Sequence, residues 1–428
     1  MKIKRILLTI TGLLSVLLFS TKANARDVLP DYIKDESGVW QHINTTNSSV
    51  NVISSDSIFS VTYRLRSNFE KDLKKYSNNL QKNYHFADTD SKDNSAVLMF
   101  TGDLMCLAGQ QFSAESKGSF DFSASYSLVA PIFNSADLVC GNLETLISSS
   151  SPLTKVMKNI GSTPQCNGPE EYLRTLRNAG FDYFATANNH CCDWGSIGIT
   201  ETCSSLDKYG FAHSGTASQI GDNFTIFDVN GIKVALLSYT HIVNQRGKLT
   251  NDQMNNMVSL YSEERVASDI KLVRSKGADF VAVYCHWGIE NTETLTEYQK
   301  KDALYIANAG ADLILGSHPH CLQGKTILHT DDDRKVPCMY SMGNFVSSMV
   351  RDINNDTIIL QVRINKAAKD NSVKIEDIDY IPCHVMPKDG KSFCVVPTSP
   401  KLNGGMVSST LDAAEKRIRK IIGDFDKY

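Results

Sequence analysis

The sequence lacks three features, each of which would have indicated a particular class of protein. Positive charge is not in excess: 44 Lys and Arg stand against 47 Asp and Glu, for a formal net charge of −3. A chain with this balance lacks the excess of positive charge with which proteins bind nucleic acids, so we expect no nucleic-acid partner. None of its 11 cysteines is spaced as C-x-x-C, which excludes the common thiol-exchange motif and the zinc knuckle.

The third absence is of long apolar runs beyond the N-terminal region. The run from Ile6 to Phe19 follows the basic pair Lys4-Arg5, and an A-x-A cleavage pattern ends at Ala25. A permanent membrane anchor is the alternative, but these 14 residues are fewer than the roughly 20 that cross a bilayer. We therefore predict a signal peptide over residues 1–25 and an exported protein, either extracellular or associated with the cell envelope.

The odd number of cysteines leaves at least one thiol unpaired or intermolecular, whatever disulfides form. Vicinal Cys191 and Cys192 rarely bond to one another, and the sequence does not reveal any other pairing. We interpret the cysteines as structural thiols. A thiol-dependent enzyme built on Cys191 or Cys285 is the alternative.

The remaining chain divides into three parts. Residues 26–94 are rich in Ser, Asn, Asp and Lys, and we predict an N-terminal extension or linker with one amphipathic helix over 61–80. Residues 95–350 carry recurring apolar runs and are predicted to form the core. Residues 351–428 carry alternating strand patterns and a final amphipathic helix, which we expect to complete that core.

The core region predicts an α/β sheet covered by helices. Apolar runs without alternation fit strands buried on both faces, and helical patterns separate them. Three helical patterns close on Gly180, Gly277 or Gly310, each followed shortly by Asp and a strand. The strand, helix, glycine, strand unit is typical of layered α/β folds. The predicted strands cover residues 96–100, 138–140, 183–187, 234–237, 280–285, 313–315 and 339–340.

Polar side chains follow these strands, where ligands bind in such sheets. Carboxylates, an amide oxygen and imidazoles form a mixed donor set that suits Mn²⁺, Fe²⁺ or Zn²⁺, and the set is large enough for one or two ions. A cation between crowded carboxylates removes their repulsion and can activate a water for hydrolysis. An imidazole beside it, such as His190, can protonate a leaving group. The strand-end residues are Asp103, Glu144, Asn189, His190, His286, His318 and His320.

The motifs, in their order along the chain, resemble the CapA/PgsA capsule-synthesis family over residues 96–347. Those proteins are linked to anionic capsule polymers such as poly-γ-glutamate, and their fold is similar to that of calcineurin-like metallophosphoesterases. The motifs are Gly102-Asp103-Leu104-Met105, Asn142-Leu143-Glu144, Ala187-Asn188-Asn189-His190, His286-Trp287-Gly288 with Glu290, Gly310-Ala311-Asp312, His318-Pro319-His320 and Tyr340-Ser341-Met342-Gly343-Asn344-Phe345.

The resemblance implies a four-layer α/β/β/α sandwich and a role for each matching residue. His190 is similar to the general acid of metallophosphoesterases. The implied ligands of one or two Mn, Fe or Zn ions are Asp103, Glu144, Asn189, His286, His318 and His320. The implied substrate-binding residues are Asn188, Glu290, Gln299, Gln323 and Asn344.

Two positions depart from the patterns of these families. Met105 stands where the phosphoesterase D-x-H motif has a histidine, so one metal has a ligand fewer. Ser317 replaces the first of a double histidine that is frequent in the capsule family. We predict a metal-dependent hydrolase that acts on an anionic polymer or on another substrate with a phosphoester or amide bond, with other capsule-synthesis proteins as possible partners. The alternative is a non-catalytic assembly or export subunit with a structural metal site.

Overall fold

The computed structural model describes residues 32–35, 37–42, 94–156, 165–219, 223–387 and 392–425. The predicted signal peptide and the predicted helix over 61–80 lie outside these residues. Within them, no helix combines the length and the apolar character that crossing a membrane requires.

The strands are β1 (Tyr32–Lys34), β2 (Val39–His42), β3 (Ser95–Leu104), β4 (Glu115–Ser116), β5 (Ser119–Phe120), β6 (Leu138–Leu143), β7 (Tyr183–Ala185), β8 (Ala212–Ser214), β9 (Phe224–Val229), β10 (Ile232–Thr240), β11 (Phe280–His286), β12 (Leu313–Ser317), β13 (Leu322–His329), β14 (Lys335–Met342), β15 (Asn344–Val346), β16 (Asp356–Lys366), β17 (Val373–Pro387) and β18 (Phe393–Pro397). The α-helices are α1 (Ala108–Ala114), α2 (Ser123–Tyr126), α3 (Ala130–Phe133), α4 (Glu170–Ala179), α5 (Gly195–Lys208), α6 (Asn251–Met257), α7 (Glu263–Ser275), α8 (Glu297–Asn308) and α9 (Ser409–Ile422).

The first large sheet has the strand order β1-β2-β9-β10-β11-β12-β14-β13. Strands β10, β11, β12 and β14 run parallel, so their carboxyl ends meet at one edge. Strands β1 and β2 come from the segment predicted as an extension or linker, and β2 pairs in parallel with β9. Part of that segment is therefore built into the sheet.

The second large sheet has the order β18-β17-β16-β3-β6-β7-β8. Strands β3, β6, β7 and β8 are parallel, and β16 pairs antiparallel with β3. Strand β15 pairs with the end of β3, placing Asn344 beside Asp103. The C-terminal region thus supplies β16, β17 and β18, next to the strand that carries the first motif.

The sheets pack face to face, because their strands bury alternate side chains on both faces. On β11, Ala282 and Tyr284 lie in the core between the sheets, while Val281 and Val283 lie in a second core under α7 and α8. A third core lies between the second sheet and helices α2 to α5. The predicted four-layer α/β/β/α arrangement is confirmed.

The repeated glycine and aspartate explain how helices return to strands. Gly180 ends α4 with φ 105°, a left-handed conformation that glycine adopts at low cost. Asp182 then makes two hydrogen bonds to Val139 in strand β6: its backbone N–H donates to the Val139 carbonyl, and its carboxylate accepts from the Val139 N–H. Asp279 and Asp312 form the same double contact with the amino ends of β10 and β11. Strand ends are thereby held in register.

Candidate metal centre and active site

The strand-end residues converge at one edge of the sandwich. Asp103 lies near the end of β3, Glu144 follows β6, and His286 is the last residue of β11. His318 and His320 follow β12. Both sheets present the carboxyl ends of these parallel strands at the same edge, so residues more than 200 positions apart come together. The His318 backbone N–H donates to Asp103 Oδ2 at 3.2 Å, and His320 Nδ1 lies 3.6 Å from the same oxygen.

The donor atoms form two groups that share Glu144. Atoms within each group lie no more than 4.8 Å apart. His286 Nε2 and His320 Nε2 each lie 3.7 Å from Glu144 Oε1. Asn189 Oδ1 lies 3.0 Å from His286 Nε2, so it faces the second group. We call Asp103, Glu144 and His320 the first donor group, and Glu144, His286 and His318 the second donor group.

Glu144 shows that this donor set fits a cation. The residue is fully buried, and neither of its carboxylate oxygens has a hydrogen-bond partner among the described residues. His318 Nδ1 is also buried and unpartnered. An unpaired buried carboxylate is costly, and a divalent cation coordinated by it offsets that cost. The residues present therefore fit one or two divalent ions.

The electrostatics of the edge agree with this fit. Burial, followed by the nearby Asp103 carboxylate, raises the pKa of Glu144 well above its usual value. Burial lowers the pKa of His286 well below its usual value and that of His318 to about 3. Burial also disfavours the protonated form of His320, but its contacts with Asp103 outweigh burial and raise its pKa. His286 and His318 are thus neutral at pH 7, the form that ligates a metal.

Residues around the donors fix their orientation, as partners of metal ligands commonly do. Asn142 Nδ2 donates to Asp103 Oδ1 at 2.7 Å. His286 Nδ1 lies 3.0 Å from Ser317 Oγ, and His320 Nδ1 lies 2.9 Å from Asn344 Oδ1. Sequence reasoning assigned no role to the side chains of Asn142 and Ser317, although each stands within two positions of a predicted ligand.

The backbone at this edge is constrained. His318 and His320 have φ of 96° and 56°, a region that non-glycine residues rarely occupy. Two such residues, both predicted ligands, indicate a site where strain is tolerated for function. Gly102 has no room for a side chain: an added Cβ would lie 2.0 Å from the Gly343 carbonyl oxygen.

His190 has the arrangement expected of a proton donor or acceptor. Its Nδ1 lies 2.7 Å from Asp193 Oδ2, which also accepts the Cys166 N–H at 2.6 Å. Asp193 therefore acts as an acceptor, His190 donates through Nδ1, and Nε2 is the nitrogen left for proton exchange. Asp193 stands three positions after His190, a spacing that could have signalled this pair.

The predicted substrate-binding residues are mostly internal supports. Gln299 and Gln323 are fully buried, and Gln299 Nε2 donates to Gln323 Oε1 at 2.9 Å. Asn188 is buried and donates to the Leu143 carbonyl, and Asn344 orients His320. The amide groups of the two glutamines bind each other and nearby backbone, and their contact with a substrate stays a prediction.

Glu290 is the exposed member of the predicted substrate-binding set. Its charge contributes to the raised pKa values of Glu144 and His320, which places it close to the rim of the donor set.

Met105 and the cysteines also occupy defined places. Met105 is buried and supplies no metal ligand where the phosphoesterase pattern has a histidine. All 11 cysteines are buried. The contact with Cys192 and burial raise the pKa of Cys191 well above its usual value, and burial does the same for Cys285. Neither thiol is poised as a nucleophile.

Taken together, the four layers and the clustered carboxylates and imidazoles define a layered α/β protein with a candidate metal centre at one edge of its sheets. The chain belongs to the family described as bacterial capsule synthesis protein PGA_cap, which matches residues 97–349. This match confirms the resemblance inferred from the motifs.

Two curated relatives come from Bacillus. The chain is 29% identical over 266 residues to the capsule biosynthesis protein CapA of Bacillus anthracis, covering 60% of each protein. It is 27% identical over 270 residues to the PGA biosynthesis protein CapA of Bacillus subtilis (strain 168), covering 62% of this chain and 67% of that protein. The match thus spans less than two thirds of the first relative.

Among solved structures, the chain is similar to the calcineurin-like phosphoesterase YfkN from Bacillus subtilis. Sequence identity is 14% and the TM-score is 0.39, with 77% of this chain and 98% of that chain covered.

Proposed function

We propose that the protein is an exported, metal-dependent hydrolase that acts in capsule, poly-γ-glutamate or cell-envelope polymer biosynthesis. Its substrate is an anionic polymer or a precursor of one, cleaved at a phosphoester or amide bond. The observation that carries the proposal is the buried, unpartnered carboxylate of Glu144, shared by two donor groups and close to the paired His190 and Asp193.

In this proposal, one set of residues binds metal and a second set transfers a proton. Asp103, Glu144, Asn189, His286, His318 and His320 would hold one or two Mn, Fe or Zn ions. When bound, such an ion supplies a Lewis acid and lowers the pKa of water. Asp193 fixes the tautomer of His190, so that Nε2 can transfer a proton to a leaving group. The buried edge excludes bulk water, which strengthens each of these electrostatic contacts.

The experiment is metal analysis combined with turnover. The purified protein is analysed for bound metal and assayed against a panel of phosphoesters and γ-glutamyl peptides. We expect His190→Ala to keep its metal and to lose about 10²- to 10⁴-fold in turnover. His329→Ala is the matched control, because His329 is exposed at the end of β13, at the opposite edge of the sheet. Equal turnover in both variants would contradict the proposal.

One observation favours a second candidate function. Met105 leaves the first donor group without the histidine of the phosphoesterase pattern, which suits a metal centre that stabilises a polymer-assembly or export subunit. Metal retained with no turnover on any substrate in the panel would support this alternative over the hydrolase.

Export is a separate part of the proposal. It is supported by the apolar run and the A-x-A pattern in residues 1–25. Recovery of the protein outside the cytoplasm, with a new N-terminus after Ala25, is the expected result. An intact N-terminus on a cytoplasmic protein would contradict it.

A further inference from the structure

A third set of donors lies beside the two donor groups and includes a thiol. Cys166, His190 and Asp193 offer a sulfur, a ring nitrogen and a carboxylate oxygen, all within 4.8 Å of one another. Among the described residues, no other cysteine belongs to a group of three such donors. We propose that these residues form a separate Zn²⁺ site whose occupation inhibits the protein.

Asp193 provides independent support for a ligand at this place. The residue is fully buried, and its Oδ2 binds His190 Nδ1 and the Cys166 N–H. Its other oxygen, Oδ1, is buried and has no hydrogen-bond partner among the described residues. A buried carboxylate oxygen without a partner is costly unless something positive binds it. One free carboxylate oxygen, one thiol and one imidazole supply three ligands.

The donor chemistry selects zinc. Zn²⁺ takes Cys, His and Asp ligands at about 2.0–2.3 Å in tetrahedral geometry, which sets ligand atoms roughly 3.5 Å apart. The three donor atoms lie within 4.8 Å of one another, close to that spacing. The thiolate makes this site softer than the two donor groups, which contain only oxygen and nitrogen. Mn²⁺ therefore prefers the donor groups, whereas Zn²⁺ can also bind at Cys166.

Binding exchanges a proton for the metal. Burial, followed by the charge of Asp193, raises the pKa of Cys166 well above its usual value, so the thiol is protonated without a metal. When Zn²⁺ binds, the Sγ–H bond breaks, the Sγ–Zn bond forms, and the proton leaves to solvent. No oxidant or reductant takes part.

Zn²⁺ binding inhibits the protein because His190 is both a ligand of this site and the proposed proton donor of the reaction. An imidazole held by Zn²⁺ and turned away from its Asp193 contact no longer transfers a proton through Nε2 as the reaction requires. This consequence rests on the proposed hydrolase function, whereas zinc binding itself does not.

Cd²⁺ is the probe for the binding step, because a thiolate–Cd²⁺ bond absorbs in the ultraviolet. Full-length protein is first saturated with Mn²⁺ and then titrated with Cd²⁺. We expect a charge-transfer band that saturates at one equivalent and is displaced by Zn²⁺. Cys166→Ser should abolish the band, while the control Cys191→Ser, next to His190, should keep it. An unchanged band in Cys166→Ser, or no band in the unmodified protein, would overturn the proposal.

Thermal unfolding separates loss of the site from loss of the fold. With Mn²⁺ present, added Zn²⁺ should raise the Tm of the unmodified protein more than that of Cys166→Ser, because Zn²⁺ can also replace Mn²⁺ in the donor groups of both proteins. The shift caused by Mn²⁺ alone should be equal in both. For inhibition, Cys166→Ser should need at least about 10-fold more Zn²⁺ to halve turnover. If Zn²⁺ inhibits the unmodified protein and Cys166→Ser at the same concentration, the inhibitory role is refuted. If no substrate is turned over, the Cd²⁺ band still shows whether the site binds metal.

Discussion

Replacing Glu144 with Gln changes the charge of the central ligand with little change in its size. Both carboxylate oxygens of Glu144 are buried and unpartnered, and both donor groups include it. The substitution therefore has opposite effects on the metal-free and the metal-bound protein. Without metal, it replaces an unpaired buried carboxylate by a neutral amide, so we expect the free energy of unfolding to stay equal or rise. With metal, it removes a shared ligand.

The size of the loss can be bounded. Removing a residue that merely orients a metal ligand weakens binding 10- to 100-fold. Removal of a ligand shared by both groups should therefore raise the Kd for the metal at least about 100-fold, which corresponds to about 2.8 kcal/mol. At a Mn²⁺ concentration of 100 times Kd, the metal stabilises the unmodified protein by about 2.7 kcal/mol. At the same concentration, Glu144→Gln keeps only about 0.4 kcal/mol of that stabilisation.

The assay is chemical unfolding of both proteins, after chelation and again with Mn²⁺, together with metal analysis. Glu201→Gln is the matched control, because it makes the same change on α5, outside both donor groups. The control should keep the full metal-dependent stabilisation. If Glu144→Gln binds as much Mn²⁺ and gains as much stability as the control, Glu144 is not a ligand.

Three further changes test other parts of the structure. Asp193→Asn should keep its metal but lower turnover roughly 10²- to 10⁴-fold, because it no longer fixes the tautomer of His190; unchanged kcat would contradict this. Hydrogen bonds led by that from Ser148 lower the pKa of Glu201 from 4.5, so their stabilisation is present above that pH and lost as pH falls through the lowered value. After a discount for solvent screening, we expect Glu201→Gln to lower the free energy of unfolding in urea by about 1 kcal/mol at pH 7 and by less at pH 3. An equal loss at both pH values would show that these hydrogen bonds are not the source of the stabilisation. Gly102→Ala forces a Cβ to 2.0 Å from a backbone carbonyl, and an unchanged urea midpoint would contradict the expected loss of about 3 kcal/mol.

The strands and the positions of the candidate ligands at the strand ends could be predicted because both depend on local patterns. Runs such as 280–285 are apolar on both faces, and His286 follows directly at the strand end. In parallel strands that position alone places a side chain at the ligand-binding edge. Asp103, Glu144 and His318 were therefore recognisable before any contact between them was known.

Gln299 shows how a local pattern and a family motif indicate different roles for one side chain. Thr296 stands three positions before it, which is the T-x-x-Q pattern of a capping box, and the structure has both reciprocal bonds at the start of α8. The pattern predicts an amide turned back to its own helix. The local hydrogen bonds determine the orientation of the Gln299 amide group, while the substrate contact implied by the family resemblance stays a prediction.

Other features depend on distant contacts that leave no local signal. Strand β2 (Val39–His42) lies in a polar segment, and its partner β9 begins at Phe224. Cys166 meets Asp193 only because the loop before α4 packs against the turn after β7. Neither neighbour could be identified without the fold.

Anomalous diffraction from Mn²⁺-soaked crystals tests the metal centre most directly. We predict one or two anomalous peaks bounded by Glu144, Asp103 and the imidazoles of His286, His318 and His320. Saturating Mn²⁺ with no peak at that edge, or a peak bound by other residues, would contradict the assignment of these side chains as ligands.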